Sequence, residues 1–527
     1  MRPKAALEGP AGDFFAYDAA NLYGQEMSAW LPWLRSPDTE IDFTRDRVVA
    51  RTRDLVRNDG WATGAVGRTL DNTIGAELRL RAMPDHLALS RVAPAMDATW
   101  ADEFAAAAEA EWRLWAHDLG GACDTARTLT FPRMARLALR HALIDGEALA
   151  VLGWEPERVG AGAHYATSVQ VVDPDRLSNP DEMVDTEHRR GGVEIDEAGA
   201  PLGYWIRRAH QNDWYDAAES MVWDFAPRTT LWGRPVTVHY FDPDRAGQHR
   251  GVGVLVPVLA RLKMLGRYDA VELQQAVLQT VFGTFVESPY DADQVRMAME
   301  SPEDQRELSY YQALRDAFHQ QRQLMLGGVR IPTLAPGEKI AAVSPQHPAR
   351  NFTDFEHAML RNVAAAIGVS AEQVTQDWSR TNYSSARAAM LDAWKTLGRI
   401  RGNFTQGWCT PIYAAFLEEA IDRGRVPLPA DAPPFEEWRT AYARCRWLGV
   451  GRGWIDPVKE RQGAVLGLDA GFSTLDAECS EMSGTDWREM LHQRAREVAL
   501  MKSLGLKLPD WAASDPAQVV ERKPPPE

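Results

Sequence analysis

Cysteine is scarce in this chain. Its 527 residues hold four, Cys123, Cys409, Cys445 and Cys479, too widely spaced for the disulfide framework of a small secreted domain, so free thiols are expected. Long apolar runs are missing as well. No window of about 18 uninterrupted apolar residues occurs, which excludes a membrane-spanning helix. The first residues, MRPKAALEGPAGDFF, have no apolar core of the secretory type and read as a flexible arm. Positive charge is in deficit: 58 Lys and Arg stand against 74 Asp and Glu, a net charge of −16. A protein that holds DNA tightly by its phosphates is usually basic. This balance argues against static grip and leaves open a low-friction conduit through which a duplex slides.

Compact catalytic signatures are also lacking. There is no GxxxxGK[ST] to cradle a nucleotide, no HExxH, no CxxC pair and no GxSxG turn. The pairs His239/His249 and His347/His357 are spaced so that neither places two ligands on one helical face. The tetrapeptide DPDR occurs at Asp173–Arg176 and again at Asp242–Arg245. A calcium loop needs more oxygens at fixed spacing and a closing Glu, so both read as turns. Neither a cofactor nor a metal site is expected. The competing reading is a metal-dependent nucleic-acid-processing enzyme whose acidic ligands are dispersed along the chain.

What is present is a large globular composition, 45% hydrophobic and 25% charged with mean hydropathy −0.36. It suffices for about two to four domain-sized pieces. Residues 44–72 have helical periodicity, 74–83 alternate like a strand, and 100–119 and 131–144 read as amphipathic helices. From Gly146 to Phe241 short alternating segments separated by Pro, Gly and Asp predict β-structure. Val254–Thr280 reads as a long helix whose core stripe is Leu255, Val258, Leu262, Leu265 and Tyr268. An irregular insert, 281–345, separates it from a second helix with Phe352, Phe355, Met359, Val363 and Ile367 on one face, stopped by Gly368. Ser384–Ile421 reads as nearly continuous helix, kinked by its glycines and Pro411. A Pro-rich joint at 427–434 precedes a last helical piece, in which Trp487, Leu491, Val498 and Met501 share a face. The fold class is α+β. Nineteen tryptophans read mainly as core and interface packing.

The most informative run is NFTDFEHAMLRNVAAAIGVSAEQVTQDWSRTNYSSARAAMLDAW, Asn351 to Trp394. It predicts a helix, a polar loop and a second helix. The loop holds Gln376, Asp377, Trp378, Ser379, Arg380, Thr381, Asn382 and Tyr383. Trp378 stands apart from any apolar stripe, and reads either as a moving contact or as packing against a neighbouring subunit.

This run resembles the tunnel-loop region of bacteriophage portal proteins, most closely the lambda-like family. Similar stretches are ARTRDLVRNDGWATGAVGRTLDNTIGAELRLRAMPD at 50–85, VVDPDRLSNP at 171–180 and GVEIDEAGAPLGYWIRR at 192–208. HYFDPDRAGQHRGVGVLVPVLARLKMLGRYDAVELQQAVL at 239–278 and GWIDPVKERQGAVLGLDAGFSTL at 453–475 complete the set. No single motif is diagnostic; the order of the stretches carries the resemblance.

It implies a portal-type fold and a homo-oligomeric ring, normally of twelve subunits, at one vertex of a viral capsid. Double-stranded DNA would be packaged and ejected through it. In this numbering it implies an N-terminal arm (1–45), a wing (46–250), a first stem helix (251–280), a clip (281–345) and a second stem helix (346–368). The tunnel loop (369–383), a long kinked helix (384–426), a helical crown (430–510) and a disordered tail (511–527) follow. Gly368, Gly398 and Gly402 would be hinges. The implied partners are the terminase large subunit, the major capsid and scaffold proteins and head-completion or adaptor proteins. The implied location is the virion, with assembly in the host cytoplasm and no catalytic residue.

Overall fold

The computed structural model describes residues 20, 29–282, 324–326, 329–331, 352–379, 381–453 and 456–508. Most of the expected arm, nearly all of the insert, the tail and Arg380 lie outside them.

The periodic stretch after Thr44 forms two helices, Arg45–Asn58 and Gly60–Thr73, where the sequence predicts one. Asp59 divides them. Its backbone is extended and its carboxylate accepts the Ala62 N–H at 2.8 Å, the bond that starts the second helix. Strand Arg79–Ala82 then pairs antiparallel with Cys445–Leu448, which lies in the part expected to be helical. Helices Ala98–Ala116 and Phe131–Ile144 fall where periodicity places them.

The middle of the chain forms two small antiparallel sheets. One orders its strands Thr167–Val172, Glu147–Trp154 and Thr237–Phe241. The other runs Arg189–Arg190, Val193–Ile195, Pro201–Arg207 and Trp223–Pro227. Leu149 and Val172 of the first meet Val193, Ile195, Tyr204 and Ile206 of the second in a core of their own.

The principal core is aromatic. The Trp112 ring lies 4.7 Å from Phe131, 5.2 Å from Phe416, 5.6 Å from Tyr413 and 5.6 Å from Trp447, centroid to centroid. Helices far apart in sequence are thereby joined around one centre, the core role expected of tryptophan at Trp112, Trp115, Trp408 and Trp447, whereas Trp154, Trp214 and Trp232 are exposed.

The long helix begins with a 3₁₀ turn, Val256–Val258, that contains Pro257, and runs as Leu259–Phe282. Leu255, Val258, Leu262 and Leu265 are buried as their spacing predicts. Helix Phe352–Ile367 buries Leu360, Val363, Ala364 and Ile367, whereas Phe355 is exposed and its ring meets Tyr268 in a T-shaped contact, centroids 5.5 Å apart. The next long helix is Tyr383–Phe404, a π-turn Thr405–Cys409, then Thr410–Asp422. The irregularity sits at Gly407 and Pro411, not at Gly398 or Gly402. Pro411 has no N–H for the regular helical bond, and a Cβ on Gly407 would lie 2.6 Å from the Tyr240 ring. Helix Trp487–Ser503 buries none of its residues. Arg113–Glu489, Arg488–Asp102 and Arg81–Asp486 ion pairs hold this end to the rest.

Candidate DNA-facing loop

The polar loop is built from caps. Helix Phe352–Ile367 ends at Gly368, whose φ of +78° is the left-handed stop that glycine favours. A Cβ there would lie 2.6 Å from Thr396 Cγ2, so the chain passes tightly against helix Tyr383–Phe404. Ser370 then opens a short helix, Ala371–Thr375, with a reciprocal capping box. Its hydroxyl accepts the Gln373 N–H, while the Gln373 side chain accepts the Ser370 N–H. Val374 from this helix enters the principal core, and the helix rests on Gly60–Thr73.

Beyond it, Gln376 adopts φ +57° and its side-chain amide donates to the Gln373 carbonyl at 2.7 Å. The Ser379 N–H donates to Asp377 Oδ1 at 3.0 Å, and Thr381 donates from both N–H and hydroxyl to the Trp378 carbonyl. Asn382 closes the loop as the cap of the following helix, accepting the Ser385 N–H at 2.9 Å. The structure therefore brings Gln376, Asp377, Trp378, Ser379, Thr381 and Asn382 together on one short, internally bonded turn. Arg380 and the Tyr383 side chain lie outside the described residues. Trp378 is 38% exposed, so its ring is only partly covered within one chain.

A second arrangement, unannounced by any motif, fixes the foot of the first long helix. Glu147 is fully buried on its strand. Arg250 Nη2 reaches it at 2.5 Å, Arg45 Nη2 at 2.6 Å and His239 Nε2 at 3.1 Å, and the Gly251 N–H donates to it at 3.0 Å. Burial alone would push this carboxyl up, yet the two guanidinium groups hold it well below the usual range. Arg250 also donates to the carbonyls of Pro174, Leu177 and Gly191, so one side chain joins both sheets to the segment that starts the helix. Glycine makes this approach possible. A Cβ on Gly251 would lie 2.0 Å from the Gly146 carbonyl oxygen. The sequence signal was slight, a Glu opening an alternating strand and an Arg-Gly pair before a helix.

Among the described residues, two overlapping groups have metal-ligand chemistry: His141, Asp145 and Asp173, and Asp173, Asp175 and His210. The guanidinium of Arg53 sits among them. It donates to Asp145 at 2.8 and 3.0 Å, to Asp175 at 3.1 Å and also to Asp173. The first DPDR segment thus ends in an ion cluster whose cation is Arg53. In the second, Asp242 pairs with Arg399 at 2.8 Å.

The sequence pattern of the family described as phage portal protein, lambda family, matches residues 23–401. The chain belongs to the lambda family of phage portal proteins. The portal protein of Escherichia phage N15 is 32% identical over 519 residues, covering 98% of this chain and 94% of that one. Portal protein B of Escherichia phage lambda is 32% identical over 498 residues, covering 93% and 91%. Among solved structures, a chain from the virion of a native gene transfer agent particle aligns over 82% of this portal chain and 92% of its own. That alignment has 14% identity and a TM-score of 0.38. No helix among the described residues of this portal protein is long and apolar enough to cross a membrane.

Proposed function

We propose that this portal protein forms a closed homo-oligomeric ring, of twelve subunits, through which double-stranded DNA enters and leaves a capsid, and that residues 369–383 line its channel. The observation that carries the loop assignment is the double anchorage of Ser370–Asn382. Gly368 and the Ala371–Thr375 helix clamp one foot and the Asn382 cap fixes the other, while the turn between them presents short polar side chains and the half-exposed Trp378. Such a turn keeps its position as a duplex passes. On a chain of −16, the field disfavours prolonged hold on phosphate. Arg380 supplies a transient cationic contact and Asp377 limits it.

In the same reading 46–250 form the wing, 251–280 and 346–368 the stem helices, 281–345 the clip, 384–426 the helix behind the loop and 430–510 the crown. The clip meets the terminase large subunit and later the head-completion or adaptor proteins. Capsid and scaffold proteins surround the ring, and assembly takes place in the host cytoplasm. The test is a packaging assay with Trp378→Ala and Arg380→Ala rings. Rings that assemble normally but package or retain less DNA than wild type support the loop assignment. Wild-type packaging and retention by both variants overturn it.

The His/Asp cluster around Arg53 is the feature that would favour a metal-dependent nuclease. Mg²⁺-dependent DNA cleavage by the purified chain, abolished by Asp173→Asn, would establish that activity instead. Arg53 already supplies the opposing charge, so no cleavage is expected.

A further inference from the structure

A five-residue helix early in the chain, Pro37–Ile41, is held to the body by contacts that need protons. Asp38, in its first turn, is 5% exposed. Its Oδ1 accepts the His249 backbone N–H at 2.9 Å, and its Oδ2 lies 2.9 Å from His249 Nδ1. The other ring nitrogen, Nε2, lies 3.0 Å from the Gly199 carbonyl oxygen, in the turn between strands Val193–Ile195 and Pro201–Arg207. Both neighbours are acceptors, so only the doubly protonated ring donates to each. Arg190 also faces this pair, its Nε 3.9 Å from Asp38 Oδ2.

Asp42, the residue that ends the helix, supplies the second contact. Both its oxygens are shut off from water and meet no N–H or hydroxyl among the described residues. A Cβ on Gly191 would lie 3.2 Å from Oδ1, so the carboxyl sits against the four-stranded sheet. The charged groups facing it are Arg250, Asp185 and Asp38. Asp185 already accepts the Gly191 N–H at 2.8 Å and the Asn179 amide at 2.9 Å, so Asp42 is the member that must bring a proton.

We propose that helix Pro37–Ile41 is a proton-operated latch on the start of the chain, closed while His249 and Asp42 both carry protons and released as pH rises. Five residues form no stable helix by themselves, so docking decides whether this one persists. The bond to Asp38 raises His249 above its ordinary 6.5; burial opposes the rise, the Gly199 carbonyl adds to it and Arg190 opposes it. Burial pushes Asp42 up to about 7 from 3.8. Both values are raised, so both groups favour docking at low pH. The Asp42 contribution is lost as pH rises from 3.8 towards 7, and the His249 contribution as pH rises above 6.5. Further ties, from Arg245 to Glu40 at 2.6 Å and to the Arg35 carbonyl at 3.0 Å, are exposed and weak. Upstream, Trp30 and Trp33 are exposed; downstream, Arg45 is fixed to Glu147. Opening the latch therefore moves the first firm attachment of the chain from Pro37 to Arg45. The inference uses neither the ring reading nor the loop assignment, and stands if either fails.

The test is pulsed hydrogen exchange of the purified full-length chain from pH 5.5 to pH 8.5, with pulse lengths matched to the intrinsic rate. Protection of the peptide spanning 36–44 should fall at least about tenfold across that range, while helix Phe131–Ile144 keeps its own. Asp42→Asn should keep the peptide protected to higher pH. His249→Gln, whose amide can donate to only one of the two acceptors, should lower protection at pH 5.5 towards the wild-type level at pH 8.5. The two substitutions together should remove the pH dependence. Wild-type protection that does not change with pH would overturn the inference, as would an undiminished pH dependence in the double variant. Protection of Phe131–Ile144 reports whether each variant is folded, and the wild-type series decides the matter without any variant.

Discussion

Glu147 illustrates how much of this fold depends on single side chains. A carboxylate removed entirely from water costs several kcal/mol unless cations and N–H groups surround it. Here Arg45, Arg250, His239 and the Gly251 N–H do so. Glu147→Gln leaves two buried guanidinium groups without their carboxylate and should lower stability by about 3–5 kcal/mol, measured by denaturant titration. The carboxyl is held below its ordinary range, so its contribution is complete above the unfolded value and fades as pH falls through the depressed folded value. Asp42 has the opposite sign. Burial, with Asp185 and Asp38 nearby, outweighs Arg250 and pushes its carboxyl up to about 7 from 3.8. Its protonated form suits the fold, so its contribution is complete below pH 3.8 and is lost as pH rises towards 7. Asp42→Asn should raise the melting temperature at pH 8 and change it least at pH 4, as followed by thermal unfolding across that range.

At the scale of elements, four glycines along the loop and helix have different duties. Gly398 and Gly402 lie inside helix Tyr383–Phe404, and a Cβ on either would meet nothing within 4 Å. Their cost is backbone freedom alone. Gly398→Ala and Gly402→Ala should each stabilise by about 1 kcal/mol. If the two act as hinges, DNA passage should fall while stability rises, which pairs thermal unfolding with the packaging assay. Gly368→Ala and Gly407→Ala should destabilise, the first through its left-handed backbone and Thr396, the second through the Tyr240 ring. Helix Phe131–Ile144 and the stripe Leu255, Val258, Leu262 and Leu265 were legible because burial on one side imposes the helical period. The break at Asp59 is hidden because the apolar period continues across it; the N-cap chemistry of Asp-Gly is the signal that marks it. Strand Cys445–Leu448 was illegible for a different reason. It is four residues long and owes its form to Arg79–Ala82, a partner that no local pattern identifies. In the loop, the polar composition and the Gly368 stop could be read directly. The Arg250–Glu147–Arg45 junction and the Arg53 cluster could not, since each joins residues distant in sequence.

For the whole molecule, the described part of one chain leaves much apolar surface in the open. Helix Trp487–Ser503 has no fully buried residue: Trp487, Val498 and Met501 are half-buried while Leu491 and Leu500 are exposed, and Met264, Val271 and Leu273 are exposed on helix Leu259–Phe282. Surface of this kind is expected where subunits cover one another. A ring also gives the acidic balance a use, since many copies around a duplex would make a wall that repels phosphate, with contact restricted to a narrow band of loops. The most direct test is an electron-microscopic reconstruction of the purified full-length chain. The account predicts closed rings with an open pore and the Ser370–Asn382 turn at the pore wall. A monomer, or an assembly that places that turn on its outer surface, would contradict it.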